Sequence, residues 1–113
     1  MKRVEKIGLD ELREMAEKMF GDLVKADVDV VRKIVVLDAE LHADIEEFML
    51  ESGSKQEDLW GINLHPEKFG TDEFIEFDSM INIRPRQGNR SRYVEDEKVR
   101  SEILEIVSGV VYE

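Results

Sequence analysis

Residues 23–37 read LVKADVDVVRKIVVL and give the clearest indication of the fold class. Its first half has the two-residue period of a β-strand with one buried and one solvated face: Val24, Ala26, Val28 and Val30 alternate with Lys25, Asp27 and Asp29. After Arg32 and Lys33, the β-branched run 34–37 favours a second strand that pairs back on the first. The stretch therefore predicts a β-hairpin.

An amphipathic helix is predicted at each end of the chain. The first has one apolar stripe that stops at Gly21, a residue suited to a left-handed helix end: Leu9, Leu12, Met15, Ala16, Met19 and Phe20. The last follows the acidic run 95–97, whose charges suit a helix N-terminus, and it also has one stripe: Val99, Ile103, Ile106, Val107 and Val110.

The middle of the chain predicts two more strands and an ambiguous element. Residues 39–52 fit a helix that ends at Gly53, either over the whole segment or from an Asp44 cap, but residues 39–44 also fit a strand. Residues 59–64 alternate with Trp60, Ile62 and Leu64 on one side, where we expect core, and Gly61 on the other side lets a ligand or another backbone come close. Residues 74–84 alternate over a longer stretch, which predicts a strand that Pro85 ends.

These elements predict a single α+β domain over residues 1–113, with the order α-β-β-α-β-β-α. The simplest packing places all helices on the apolar face of a mainly antiparallel four-stranded sheet. The other face would then be solvated and would carry some of the polar side chains of the strands: Lys25, Asp27, Asp29, Asn63, Glu76, Asp78, Asn82 and Arg84.

Composition excludes several classes of protein. The chain has no cysteine, which excludes disulfides, thiolate metal sites and cysteine nucleophiles. The longest strongly apolar run is far shorter than the ~20 residues of a membrane span, so we expect a soluble, cytoplasmic protein without membrane contacts. The net charge of −11 makes general nucleic-acid binding unfavourable. The 38% charged residues, with few amides, hint at heat adaptation.

Residues 84–92 read RPRQGNRSR and hold four of the eight arginines, with no acidic residue among them. Guanidinium groups bind phosphate and carboxylate, and Gly88 and Asn89 allow left-handed backbone that can aim N–H groups at an anion. We predict an anion-binding loop for a small phosphate- or carboxylate-bearing ligand, formed by Arg84, Arg86, Gly88, Asn89, Arg90 and Arg92. Alternatively, these arginines pair with the protein's own acids, such as Glu95, and fix the loop.

Three ionisable residues, His42, Asp44 and Asp78, are candidate catalytic groups of a hydrolase or phosphoryl-transfer enzyme. This hypothesis requires them to converge on the arginine loop. No phosphate-loop, dinucleotide, HExxH or Gly-x-Ser-x-Gly motif is present, so no cofactor or metal is predicted. A third hypothesis is a structural or protein-interaction domain whose arginine loop is internally paired and whose exposed sheet edge binds a partner.

Three blocks carry a resemblance to a known family: ELHAD at 40–44, GSKQEDLWGINL at 53–64 and IEFDSMINIRPRQGNRSR at 75–92. With these blocks the chain resembles a small prokaryotic family described only as a domain of unknown function, over nearly its whole length. The family's third block reads Arg-Pro, one residue, then Gln-Gly-Asn-Arg-Ser. Arg86 and Arg92 stand at its variable positions. The resemblance implies a compact stand-alone domain and no catalytic roles.

Overall fold

The hairpin predicted from residues 23–37 lies at the centre of a five-stranded sheet in the computed structural model, which describes residues 1–113. The strands are β1 (Lys2–Val4), β2 (Ile7–Gly8), β3 (Val24–Asp29), β4 (Ile34–Leu37), β5 (Leu59–Leu64), β6 (Ile75–Glu76) and β7 (Val111–Tyr112). The α-helices are α1 (Leu9–Met19), α2 (His42–Glu51) and α3 (Glu97–Ser108).

The main sheet is antiparallel throughout, with the strand order β1-β4-β3-β5-β6. In its centre Asp27 lies opposite Val36 on one side and Gly61 on the other. Strands β2 and β7 form a separate two-stranded parallel sheet. The α+β class is confirmed, but the predicted count of four strands and the predicted element order α-β-β-α-β-β-α are wrong, because β1, β2 and β7 are too short to show a hydrophobic period.

Helices cover both faces of the sheet. Helices α1 and α3 bury the main core against one face, where Leu12 and Ile103 meet Val28 and Ile62. Helix α2 covers the opposite face with a small apolar cluster formed by Ile34, Val36, Ile45, Met49 and Leu59. The prediction that all helices share one face is therefore wrong. The expected solvated face lies largely under α2, so Asp27, Asp29 and Asn63 are buried.

Within the ambiguous segment 39–52, residues His42–Glu51 form helix α2. Its N-terminal cap is Leu41, not the predicted Asp44, and no side chain caps it. The predicted helix end at Gly53 is confirmed, since that residue has a φ of 105°.

The strand predicted over residues 74–84 is wrong beyond Glu76. The chain leaves the sheet there and forms a short 3₁₀ helix over Met80–Asn82, while Ile83 is exposed. The alternation of residues 74–84 could not reveal this end of the strand, because polar side chains of Asn82 and Arg84 make the hydrogen bonds of the missing strand. No helix has the length and apolar character needed to cross a membrane.

Candidate functional site

Residues 79–92 cover the outer edge of β5 where β6 has ended. The side-chain amide of Asn82 makes the contacts that a neighbouring strand would make: its Oδ1 accepts from the Gly61 N–H at 2.9 Å, and its Nδ2 donates to the Gly61 carbonyl at 3.0 Å. The same Nδ2 donates to the Arg92 carbonyl at 2.9 Å. Because Asn82 is fully buried, these bonds satisfy backbone groups that water cannot reach.

Gly61 has no side chain because two others occupy that space. A Cβ placed there would lie 2.5 Å from the Ser79 Cβ and 3.1 Å from the His42 Cδ2. The sequence predicted a close approach at this glycine, and the groups that approach it belong to the protein itself.

Arg84 binds backbone rather than an external anion. Its Nη2 donates to the Leu59 carbonyl at 2.7 Å, and its Nη1 donates to the Gln56 carbonyl. The guanidinium lies over the Trp60 ring at 4.2 Å from the centroid, an attractive cation–π geometry. Trp60 itself belongs to the main core, as predicted. Arg84 therefore closes the last part of the β5 edge.

The backbone nest predicted in the loop exists, and a carboxylate of the chain fills it. One Glu95 oxygen accepts from the backbone N–H groups of Arg90 and Ser91 and from the Ser91 hydroxyl, each at 2.8 Å. These bonds, led by that of the Ser91 hydroxyl, hold the pKa of Glu95 below its usual value. Gly88 has the expected left-handed φ of 87°.

Asn89 is buried and holds the loop together from inside. Its Nδ2 donates to three carbonyl oxygens, those of Asn82, Ser91 and Tyr93, and its Oδ1 accepts from the Glu95 N–H. Its side chain is thus saturated by the protein, and its φ is not positive.

The other three arginines of the loop differ in their contacts. Arg92 pairs with Asp78, with 2.6 Å between Nε and Oδ1. Arg86 and Arg90 have exposed side chains that form no ion pair or hydrogen bond. Of the four guanidinium groups in residues 84–92, only these two are without a bonding partner in the protein.

The candidate catalytic residues are only partly brought together. Asp78 lies at the loop through Arg92, whereas Asp44 is exposed in the first turn of α2. His42 is buried, and its Nε2 is 2.8 Å from the Ile62 carbonyl. Burial lowers the pKa of His42, so it is neutral near pH 7.

A buried carboxyl group that sequence reasoning placed in solvent lies under α2. Asp27 is fully buried, and neither of its oxygens has a partner. Burial, and next the charge of Glu46, raise the pKa of Asp27 to about 9. The group is therefore protonated in the folded protein at neutral pH.

The main sheet has two edge strands, β1 and β6, and the edge beside the arginine loop is that of β6. No strand lies on its outer side, and beyond Asp78 the chain is covered, since the Ser79 N–H donates to the Arg92 carbonyl at 3.1 Å. The Phe74 carbonyl accepts from the His65 N–H, so by antiparallel alternation the N–H and C=O of Ile75 point away from β5. They form no hydrogen bond with loops or side chains.

An apolar groove of about 430 Å³ lies beside this edge. The apolar side chains that line it come from residues 69–77 and from α3 and β7: Phe69, Phe74, Ile75, Phe77, Leu104, Val107 and Val111. Residues 84–92 line neither this groove nor any other main cleft of the molecule. The sequence signal for the groove was weak, because the long alternation at 74–84 predicted a full strand.

Comparison with known proteins identifies a family for which no function is described. No curated protein and no solved structure matches the chain significantly. The model of one family, described as "Protein of unknown function (DUF5674)", matches residues 3–110. The chain belongs to this family of proteins of unknown function.

Proposed function

We propose that the protein is a protein-interaction domain that binds an extended segment of a partner by adding it as a strand to the outer edge of β6. One observation carries the proposal: an unpaired strand edge lies directly beside an apolar groove. Edge strands with free N–H and C=O groups are templates for a further strand, and strand addition combines backbone hydrogen bonds with pockets for alternate side chains.

The alternation of β6 indicates where the partner's side chains would go. Ile75 and Phe77 face the apolar groove, and Glu76 faces the opposite side with Asn63. Residues of an added strand that lie opposite Ile75 and Phe77 would enter the groove, whose volume lies within the range of ~300–1,000 Å³ typical of ligand pockets. Backbone bonding would then give affinity, and the groove would select apolar side chains.

The test is a display library of random ten-residue segments, selected on the native protein and then measured singly for affinity. Leu104 is 45% exposed and lines the groove, so Leu104→Arg blocks it without disturbing the core. We expect selected peptides to bind the native protein and to lose at least tenfold in affinity on Leu104→Arg. N-methylation of peptide amides should weaken binding at every second position only, because only alternate amides face β6.

The matched control is Leu50→Arg, which places the same charge at a leucine 40% exposed on α2. This variant should bind the peptides as the native protein does. A library that yields no binder, or binders equally insensitive to both substitutions, would overturn the proposal.

Anion recognition is a second candidate, supported by the nest around Glu95. An external anion would have to displace that carboxylate, and Arg86 and Arg90 would then be free to contact it. The test is Glu95→Ala, which vacates the nest: inorganic phosphate should raise its melting temperature by several degrees. The gain should disappear when Arg90→Ala is added and should not occur in Glu97→Ala. No stabilisation of Glu95→Ala by phosphate would overturn this candidate.

A further inference from the structure

A second groove, of about 620 Å³, lies along the edge of β6 and adjoins the apolar groove, with which it shares Asp72, Ile75 and Phe77. Its ionisable lining side chains are four carboxylates, one lysine and one histidine: Asp72, Glu73, Glu76, Asp78, Lys68 and His65. Glu76 lines only this acidic groove. A strand added at the edge would place successive side chains alternately on the side of Glu76 and on the side of Ile75 and Phe77.

The carboxylates of the acidic groove outnumber the cations that pair with them. Burial alone would raise the pKa of Glu76, but hydrogen bonds from Asn63 and His65 lower it below its usual value. Lys68 pairs with Glu73 at 3.0 Å, and Arg92 pairs with Asp78 at 2.6 Å. These two cations leave a net negative charge around Glu76, which is 46% exposed in its side chain.

Glu76 is the carboxylate best placed to contact an added strand. It is the β6 residue that faces the acidic groove, and Asn63 fixes its side chain with a 2.9 Å bond from Nδ2. The partner residue opposite Glu76 would project into the same groove, whichever direction the added strand runs.

We infer that the partner segment carries the pattern apolar–basic–apolar, with its basic side chain paired to Glu76 in the acidic groove and its two apolar side chains in the apolar groove. This inference rests on the proposed strand addition. Charge complementarity supports it, since the chain has a net charge of −11 and the groove itself is acidic. A second copy of the chain fits less well, because edge-to-edge pairing would bring acidic β6 segments together.

The experiment compares three nine-residue peptides in which valine alternates with arginine, threonine or glutamate. We expect the arginine peptide to bind about tenfold more tightly than the threonine peptide and more tightly still than the glutamate peptide at low ionic strength. The preference should shrink in 0.5 M salt, which screens charge pairs near the surface.

Two variants that each remove one negative charge distinguish an ion pair with Glu76 from a general attraction of the basic peptide to the acidic protein. Glu76→Gln should reduce the preference for arginine over threonine to less than threefold, while affinity for the threonine peptide stays unchanged. Glu51→Gln removes the same charge at an exposed position at the end of α2, and should leave the preference intact.

The outcomes distinguish this inference from the function on which it rests. If no peptide binds, or if binding ignores Leu104→Arg, strand addition at this edge is wrong. If all three peptides bind alike and lose affinity on Leu104→Arg, the groove is real and the basic specificity is overturned. Self-association in sedimentation experiments that disappears on Leu104→Arg would identify a second copy as the occupant and would overturn the inferred partner.

Discussion

The sheet edge formed by β5 and β6 has two parts, which differ in whether their outward N–H and C=O groups are hydrogen-bonded. Along Leu59–Gly61 the edge of β5 is sealed by Asn82 and Arg84, whose side chains take the hydrogen bonds of a missing strand. At β6, a few residues away, no group takes them, and an apolar groove lies alongside. The arginine-rich loop, the most conspicuous feature of the sequence, therefore mainly covers an edge of the sheet, whereas the open edge has the geometry of a binding surface.

The largest expected effect comes from opening the closed edge with Asn82→Ala. This change leaves the N–H and C=O of Gly61 buried without partners, and each such group costs about 1–3 kcal/mol. We expect the free energy of unfolding to fall by about 4 kcal/mol in urea denaturation.

The matched control for Asn82→Ala is Gln87→Ala. It removes one exposed amide that donates to the Glu57 carbonyl, and it should cost less than about 1 kcal/mol. Equal losses for the two variants would contradict the view that Asn82 substitutes for a strand.

Amide hydrogen exchange should separate the two edges without any mutation. The Gly61 N–H is bonded to a buried side chain, so it should exchange only when the protein unfolds widely. The Ile75 N–H at the open edge should exchange at least ~100-fold faster, because small local openings suffice there. Similar protection at both amides would mean that the edge of β6 is not open.

The titration of Asp27 shows whether the sheet face under α2 excludes water as well as the β5 edge covered by Asn82 does. Its folded pKa of about 9 lies above its ordinary value of 3.8, so between these values only the unfolded chain releases the proton. Asp27 therefore destabilises the fold increasingly as pH rises. The stability of Asp27→Asn relative to the native protein should increase by about 1.4 kcal/mol per pH unit between pH 5 and 8.

Urea denaturation of both proteins across this pH range measures the slope. Asp44→Asn is the matched control, since Asp44 is exposed, and its stability should run parallel to that of the native protein. A parallel curve for Asp27→Asn as well would show that Asp27 titrates normally and reaches water.

Strong hydrophobic periodicity was enough to predict several elements of the fold. The hairpin of β3 and β4, strand β5 and the two terminal helices were all predicted, because a buried face imposes its period on successive residues. The sequence also marked Gly61 as a point of close approach and residues 84–92 as a loop able to bind carboxylate. In the structure that carboxylate belongs to Glu95.

The groups that cover each strand could not be predicted in this way and are known only from the packing of the folded chain. Alternation in residues 74–84 resembles a strand whether its partners are backbone groups or the amide of Asn82, because the period reports a local conformation and not the neighbour. Likewise, Asp27 has the sequence context of a solvated residue, and only the packing of α2 across the sheet buries it. Which groups cover a strand depends on contacts between segments that are far apart in the chain. A local sequence pattern contains no information about these contacts.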